Sequence, residues 1–315
     1  MANLYLTHRC DRGCPFCFAR KVLKEGGGNV DDILTIDEIR ALLDHYPGQF
    51  HELGILGGEP FLYPHLGEVL ELLWSRNITA KVFTSATNPA PEALNSIEFG
   101  KNPVYFVVNI GTRDTYTDEK YRNLTDFMSR FNRITSLSYT IFDTEADFSF
   151  LFDTIDEYHL LMRFIRVGLA LPIYRGGNRF ISSDRFAEMG KYFVRMAETA
   201  AERSVSLGMD CGFTACMFTT REIGVLQRSG VNMAFDCCPV VDIGPGLEAW
   251  NCFPLFRLHR ENALGTDNLR ELYRSFDKHI GDYFGHRAGI FPQCADCKHY
   301  RRRACRGGCK SYNVV

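Results

Sequence analysis

The sequence predicts an α/β fold: a partial (βα)6 TIM-like barrel, open on one side, followed by a small cysteine-rich domain. Strand-like and helical patterns alternate over the first two hundred residues. Such repeated units imply a parallel sheet with right-handed crossovers. Six units are too few for a closed eight-fold barrel. Beyond residue 205 the chain becomes rich in Cys, Gly and turns, so we predict a barrel domain at 1–205 and an auxiliary domain at 206–315.

The predicted strands cover residues 3–7, 52–56, 80–84, 104–110, 137–142 and 164–169. Helical patterns cover residues 36–46, 66–76, 91–97, 114–134, 148–161 and 184–203. Thr35 with Glu38 three residues later is a capping-box start for the first helix. In folds of this kind, functional residues gather at the carboxyl ends of the strands.

Composition narrows the functional class. The chain has 315 residues, 45% hydrophobic and 23% charged, as in ordinary soluble domains. A net charge of −2 gives no reason to expect a nucleic-acid partner. No apolar stretch approaches the roughly 20 residues of a membrane helix, and no secretion signal is visible. We therefore expect a cytoplasmic protein, where disulfides are reduced and twelve cysteines favour metal ligation.

The strongest motif is C-x3-C-x2-C, formed by Cys10, Cys14 and Cys17 in a loop after the first predicted strand. Three close thiolates can hold three irons of a cubane cluster while the fourth iron keeps an open position for substrate. The alternative is half of a zinc site, because C-x2-C pairs are common zinc ligands.

A second motif, Gly57-Gly58-Glu59-Pro60, follows the second predicted strand, so both motifs fall on one rim. Paired glycines let a ligand approach the backbone closely, and Glu59 supplies a carboxylate for a cationic amine. A plain strand-ending turn is the alternative, because Gly and Pro punctuate turns.

The triad, the aromatic Phe16 before its last cysteine, and the Gly-Gly-Glu-Pro segment resemble the radical S-adenosylmethionine (SAM) enzymes. The resemblance implies a 4Fe–4S cluster on the triad and SAM bound by its amino group at residues 57–60. It also implies an electron donor such as flavodoxin or ferredoxin. Reductive cleavage of SAM would give a 5′-deoxyadenosyl radical that abstracts hydrogen from a substrate.

Further cofactor contacts follow from the resemblance with less support from the residues. Asn109, at the end of the fourth strand, could lie near the ribose, where relatives often show S-x-D-G. Arg122 could pair with the cofactor carboxylate. Both could equally be ordinary surface or cap residues. The third strand ends in Thr84-Ser85-Ala86 where relatives often show T-N-G.

The C-terminal cysteines resemble the SPASM extension, which holds auxiliary 4Fe–4S clusters. The spacing Cys294-x2-Cys297-x7-Cys305-x3-Cys309 has seven residues where five are usual, and no final distal cysteine follows. Upstream cysteines could supply a missing ligand. One auxiliary cluster with spare thiols, two clusters, and a zinc ribbon all remain open. The candidate ligands are Cys211, Cys216, Cys237, Cys238, Cys252, Cys294, Cys297, Cys305 and Cys309.

The substrate is only loosely constrained. Asp210 and Asp236 closely precede cysteines and are candidate bases, whereas Phe253 replaces an aspartate of the sulfatase-maturing relatives. The resemblance favours crosslinking or oxidation of a ribosomally made peptide. Because the first strand starts at once, without a peptide-binding winged helix, the peptide would need either another binding surface or a separate peptide-recognition protein as a partner. The alternatives are a dehydrogenase or epimerase of a sugar or aminoglycoside, and a non-catalytic iron–sulfur or zinc module.

Overall fold

The computed structural model describes residues 2–19, 32–237, 240–285 and 287–314. The predicted ligand Cys238 lies outside these ranges. Within them, ten strands form one sheet in the order β10-β9-β8-β1-β2-β3-β4-β5-β6-β7. The strands are β1 Ala2–Tyr5, β2 Glu52–Leu56, β3 Thr79–Thr84, β4 Val104–Asn109, β5 Thr135–Ile141, β6 Phe164–Leu169, β7 Ser206–Met209, β8 Val241–Ile243, β9 Glu248–Asn251 and β10 Arg260–Asn262.

The sheet is parallel from β1 through β7, and β8 also pairs in parallel with β1. Only β9 and β10, within the described residues, run antiparallel to their neighbours. The sheet is not closed, which confirms the predicted class of an α/β partial barrel with a cysteine-rich C-terminal part. The strand β7 begins directly after residue 205 and extends the same sheet, and the boundary placed at that residue stays a prediction.

Eight α-helices pack along the chain in the described ranges. They are α1 Ile36–His45, α2 Leu66–Ser75, α3 Asp118–Phe131, α4 Ser149–Glu157, α5 Phe186–Glu202, α6 Thr220–Arg228, α7 Leu269–Tyr283 and α8 Lys298–Arg301. The predicted capping box of Thr35 and Glu38 starts α1. The pattern at 91–97 forms the short 3-10 helix Glu92–Ser96. In the parts described, none of the helices combines the length and apolarity needed to cross a membrane.

The two faces of the sheet differ in chemistry. One face packs under the helices through fully buried side chains such as those of Leu4, Ile55 and Phe106. The opposite face carries charged residues, and Arg166 of β6 lies 5.3 Å from the ring of Phe83 on β3. Since two strands separate β3 from β6, this contact requires the sheet to curve towards its polar face. The concave side of the partial barrel is therefore a polar interior.

Candidate functional site

The three N-terminal cysteines lie in one loop that follows β1. Cys10, Cys14 and Cys17 are half-buried and form no disulfide, and the Cys17 amide donates to the Cys14 carbonyl at 3.2 Å. Burial, together with the nearby carboxylate of Glu59, raises the pKa of Cys10 to about 11. Because thiolates rather than thiols bind iron, metal binding at Cys10 must release this proton.

The two glycines of the second motif contact the backbone of the cysteine loop. The Gly58 amide donates to the Thr7 carbonyl at 2.7 Å. A Cβ on Gly57 would lie 2.8 Å from the same carbonyl oxygen. One on Gly58 would lie 2.2 Å from the carbonyl oxygen of Arg9 and 2.8 Å from Cys10 Cβ. Glycine is thus required here so that the loop after β2 can pack against the cysteine loop.

The carboxylate of Glu59 joins the end of β2 to the end of β3. It is 2% exposed. It accepts hydrogen bonds from the Thr84 hydroxyl at 2.5 Å, the Ser85 amide and hydroxyl at 2.8 and 2.6 Å, and the Phe61 amide at 3.2 Å. A carboxylate has about four lone-pair sites, so a ligand ammonium would have to displace one of these donors. Glu59 also caps the 3-10 helix Pro60–Leu62, in which Pro60 is buried.

Binding of the cofactor amine by Glu59 therefore stays a prediction. Thr84 and Ser85 supply three of the four donors to Glu59, and Ser85 stands where relatives often have asparagine. The sequence contained one signal for these two residues, a polar pair at the end of a predicted strand. It did not indicate that they bind Glu59, which lies 25 residues before Thr84.

The end of β4 contacts the cysteine loop through Arg12. The Arg12 guanidinium donates to the backbone carbonyl of Asn109 at 3.3 Å and lies 4.9 Å from the ring of Tyr116. Tyr116 in turn accepts a hydrogen bond on its hydroxyl from the Gly111 amide at 2.7 Å. Asn109 therefore lies beside the cysteine loop. A contact between Asn109 and the ribose of the cofactor stays a prediction.

The start of α3 also reaches the site. Lys120 forms an ion pair with Asp11 at 2.7 Å, and the Asn123 side chain donates to the Thr87 carbonyl at 3.0 Å. Arg122 is an exposed residue of the same helix. The helix therefore contacts the cysteine loop through Lys120, and this position gives no support to the predicted role of Arg122.

Phe16 packs against the ends of β5 and β6. Its ring stacks on Phe142 with centroids 4.8 Å apart and planes 25° apart. The side chain of Asn178 donates to the Phe16 carbonyl at 3.3 Å, and the amide of Arg179 donates to the Pro15 carbonyl at 2.9 Å. The cysteine loop is thus held by segments that follow β2, β4, β5 and β6, all at the carboxyl edge of the parallel strands.

The two predicted bases lie in different surroundings. Asp210, directly after β7, forms an ion pair with Arg166 at 2.7 Å on the concave face. Asp236 is exposed, with its carboxylate 3.7 Å from Nε of Arg306. A catalytic role for either residue stays a prediction.

A third carboxyl, Asp242 on β8, was not singled out from the sequence. It is 3% exposed and accepts a hydrogen bond from the Asn3 side chain at 2.7 Å. Burial raises its pKa to about 7, against the opposing effect of the Asn3 bond. Nothing in a local sequence pattern marks this residue, because its burial results from strand pairing between β1 and β8.

Four auxiliary cysteines lie near one another and form what we name the first cysteine group: Cys211, Cys237, Cys252 and Cys309. The thiols of Cys237 and Cys309 share a hydrogen bond, which lowers the pKa of Cys237 to about 7. Burial, and then the proximity of Cys237 and Cys211, raises the pKa of Cys252. Cys211 is an exposed residue by its accessible surface. Protein atoms around its thiol still remove part of the surrounding water, and this desolvation raises the pKa of Cys211.

The second cysteine group consists of Cys216, Cys294, Cys297 and Cys305. Burial raises the pKa of Cys216, with further contributions from the thiols of Cys305 and Cys294. The Cys297 amide donates to the Cys294 carbonyl at 3.2 Å, which places the two in one turn. Eight described cysteines thus divide into four and four, the number of thiolates that a cubane cluster takes.

The part of the chain that the structure describes contains no preformed site for a single ion. Across the described ranges, no three Cys, His, Asp or Glu side chains converge on the position of a single ion. A structural zinc ion needs four ligands at about 2.0–2.3 Å in a tetrahedron. The choice between zinc and iron–sulfur clusters at the cysteine groups stays a prediction.

Residues 4–135 match the family model of the radical SAM superfamily, from β1 to the start of β5. This part of the chain is a radical SAM domain. Such a domain takes a 4Fe–4S cluster and SAM as cofactors, and the three cysteines and the glycine-lined loop described above fit these two cofactors.

The radical SAM domain and the C-terminal part together are similar to SuiB from Streptococcus suis. The likeness extends to SuiB bound to its precursor peptide SuiA, bound to SAM, and on its own, each with a TM-score of 0.63. Identity is 15–16%, and the match covers 98% of this chain and 71–72% of SuiB. At this identity the likeness shows a shared fold. No curated protein matches the sequence.

Proposed function

We propose that this chain is a radical SAM enzyme that modifies a ribosomally made peptide by crosslinking or oxidation. The observation that carries the proposal is the loop of Cys10, Cys14 and Cys17, which is held at the carboxyl edge of the sheet by the segments after four other strands. When bound there, the 4Fe–4S cluster and SAM supply a 5′-deoxyadenosyl radical that abstracts hydrogen from the substrate.

The protein's own residues position the cofactors and limit water. Cys10, Cys14 and Cys17 would hold the cluster. Glu59 would act by fixing the ends of β2 and β3, because its carboxylate is already fully hydrogen-bonded within the protein. The stacked pair of Phe16 and Phe142 would cover one side of the loop. Correct placement matters because a reactive species attacks whichever group is nearest.

The two cysteine groups would hold two auxiliary clusters of a SPASM-like part. The division of eight thiols into four and four supports two clusters rather than one cluster with spare thiols. Cys309 and Cys237 belong to one group and Cys294 and Cys305 to the other. Cys238 would be surplus to both groups. A flavodoxin or ferredoxin is proposed as the electron donor.

A peptide substrate is supported by the shared fold with SuiB, whose structure with the precursor peptide SuiA matches 98% of this chain. The polar concave face, with the ion pair of Arg166 and Asp210, would accept a polar side chain of that peptide. A separate recognition protein is proposed to deliver it.

The proposal is tested by anaerobic reconstitution, reduction and assay for 5′-deoxyadenosine. We expect the wild type to form it and Cys14→Ala to lose it. Gly13→Ala, in the same loop, is the matched control because a Cβ at Gly13 meets open space. Candidate precursor peptides should lose two hydrogens per crosslink in mass spectra. Absence of 5′-deoxyadenosine from the wild type, or equal formation by Cys14→Ala, would refute the proposal. Turnover of sugars or aminoglycosides with unchanged peptides would refute the peptide substrate.

A further inference from the structure

Residues 171–181, which follow β6, form a well-defined irregular segment. It turns tightly where the Gly176 amide donates to the Ile173 carbonyl at 2.7 Å, and Arg175 adopts a left-handed φ of 52°. A Cβ on Gly176 would lie 2.4 Å from Ile173 Cβ. Glycine is therefore required at this turn, because a Cβ there would overlap Ile173.

One side of this segment holds the N-terminal cysteine loop. The Arg179 amide donates to the Pro15 carbonyl at 2.9 Å, and the Asn178 side chain donates to the Phe16 carbonyl at 3.3 Å. The Arg179 guanidinium also lies 5.4 Å from the ring of Phe142, on which Phe16 stacks. Pro15 and Phe16 are the two residues between Cys14 and Cys17.

The same segment also holds the chain next to the first cysteine group. The Tyr174 amide donates to the carbonyl of Pro254, two residues after Cys252, at 2.9 Å. The hydroxyl of Tyr312 donates to the Ile181 carbonyl at 2.7 Å. Tyr312 itself donates its amide to the Cys309 carbonyl at 3.1 Å. One segment therefore touches the chain beside cysteines of two different groups.

We propose that residues 171–181 are a strap that sets the position of the N-terminal cysteine loop relative to the first cysteine group, with Asn178 as its positioning residue. The inference rests on the proposed function for its purpose, while its geometry is independent of turnover. Asn178 is 9% exposed. Its side-chain NH2 group donates to the backbone carbonyls of Leu171 at 2.8 Å, Phe16 at 3.3 Å and Arg179 at 3.4 Å.

Asn178→Asp is the sharpest perturbation of the strap. It keeps the size of the side chain but points a carboxylate, which only accepts hydrogen bonds, at three carbonyl oxygens. Tyr312→Phe is the complementary change, since it removes only the hydroxyl that donates to Ile181, two residues after Arg179. Asn132→Asp is the matched control, because Asn132 donates to the Tyr158 carbonyl at 3.4 Å, outside the strap.

The test is hydrogen exchange of the anaerobically reconstituted full chain. We expect Asn178→Asp to accelerate exchange about tenfold at residues 10–17 and 252–256, the effect of losing a buried hydrogen bond. Tyr312→Phe should accelerate exchange at 10–17, which Tyr312 does not touch. The electron paramagnetic resonance change produced by adding SAM to the reduced protein should shrink in both variants and remain in Asn132→Asp.

The strap is refuted if Tyr312→Phe alters exchange only near residues 309–312, or if Asn178→Asp alters only residues 171–181. If Asn178→Asp does not fold, Tyr312→Phe alone decides between these outcomes. Failure of the proposed function would appear differently, as loss of 5′-deoxyadenosine in the wild type with the exchange pattern of the strap unchanged.

Discussion

Replacing Glu59 with glutamine separates a structural role of this carboxylate from a ligand-binding one. In the protein the carboxylate accepts four hydrogen bonds, two on each oxygen. A glutamine keeps one oxygen and directs an NH2 group at the other pair of donors. The hydroxyls of Thr84 and Ser85 can rotate away, but the backbone amides of Phe61 and Ser85 cannot.

The magnitude follows from those contacts. At least one buried amide loses its acceptor, which costs about 1–3 kcal/mol, and the remaining bonds lose the strengthening that a charged acceptor provides. Glu59→Gln should therefore lower the free energy of unfolding by about 2–4 kcal/mol. Because all four donors belong to the protein, the loss should be present without SAM.

Urea unfolding of the protein with and without SAM measures this effect. Glu71→Gln is the control, because Glu71 is an exposed glutamate of α2. If Glu59→Gln unfolds at the wild-type urea concentration in the absence of SAM, and differs only when SAM is added, the carboxylate serves the ligand and the structural reasoning is wrong.

Three further predictions follow from the site. Gly58→Ala should lower iron retention at the N-terminal loop, because the added methyl group would overlap the cysteine loop and overpacking costs about 1–3 kcal/mol. Gly13→Ala should retain the iron content of the wild type, and equal iron content in both variants would contradict the close packing at Gly58. Cys252→Ala and Cys294→Ala should each remove about four irons per chain and together about eight, as counted by iron analysis; a double variant that loses no more than one single variant would place both in one cluster. Asp242 has a pKa of about 7 in the folded protein against 3.8 when exposed, so the protein should lose stability as pH rises from about 4 to 7, by at most about 4 kcal/mol. Asp242→Asn should flatten that dependence in urea midpoints at pH 5 and 8, and an unchanged pH profile would show that Asp242 is ionised throughout.

Local sequence patterns predicted the parts of the fold whose signals are local. The ranges 52–56 and 164–169 match β2 and β6, because each is an apolar run bounded by turns. The strands β7 to β10 were missed, because three or four residues are too few to show a periodicity. The helix α6 was also missed, although Thr219 and Glu222 form a capping box, because Leu226 is its only buried residue.

The residues of the candidate site also divide into those predicted from the sequence and those that only the structure revealed. The spacing of Cys10, Cys14 and Cys17 predicted that they share a loop, and the order of predicted strands placed this loop on the same rim of a parallel sheet as the Gly-Gly-Glu-Pro segment. Only the tertiary structure decided that Glu59 turns to Thr84 and Ser85, and that Asn178, 162 residues along the chain, holds Phe16.

The grouping of the C-terminal cysteines is the clearest case of a feature beyond sequence spacing. Cys237 hydrogen-bonds to Cys309, which lies 72 residues later in the chain, and Cys252 has a positive backbone φ of 77°. Spacing predicts which thiols share a turn, because a few residues span only a short distance. It cannot predict which turns meet, because that depends on how the sheet curves and where the chain crosses its open side.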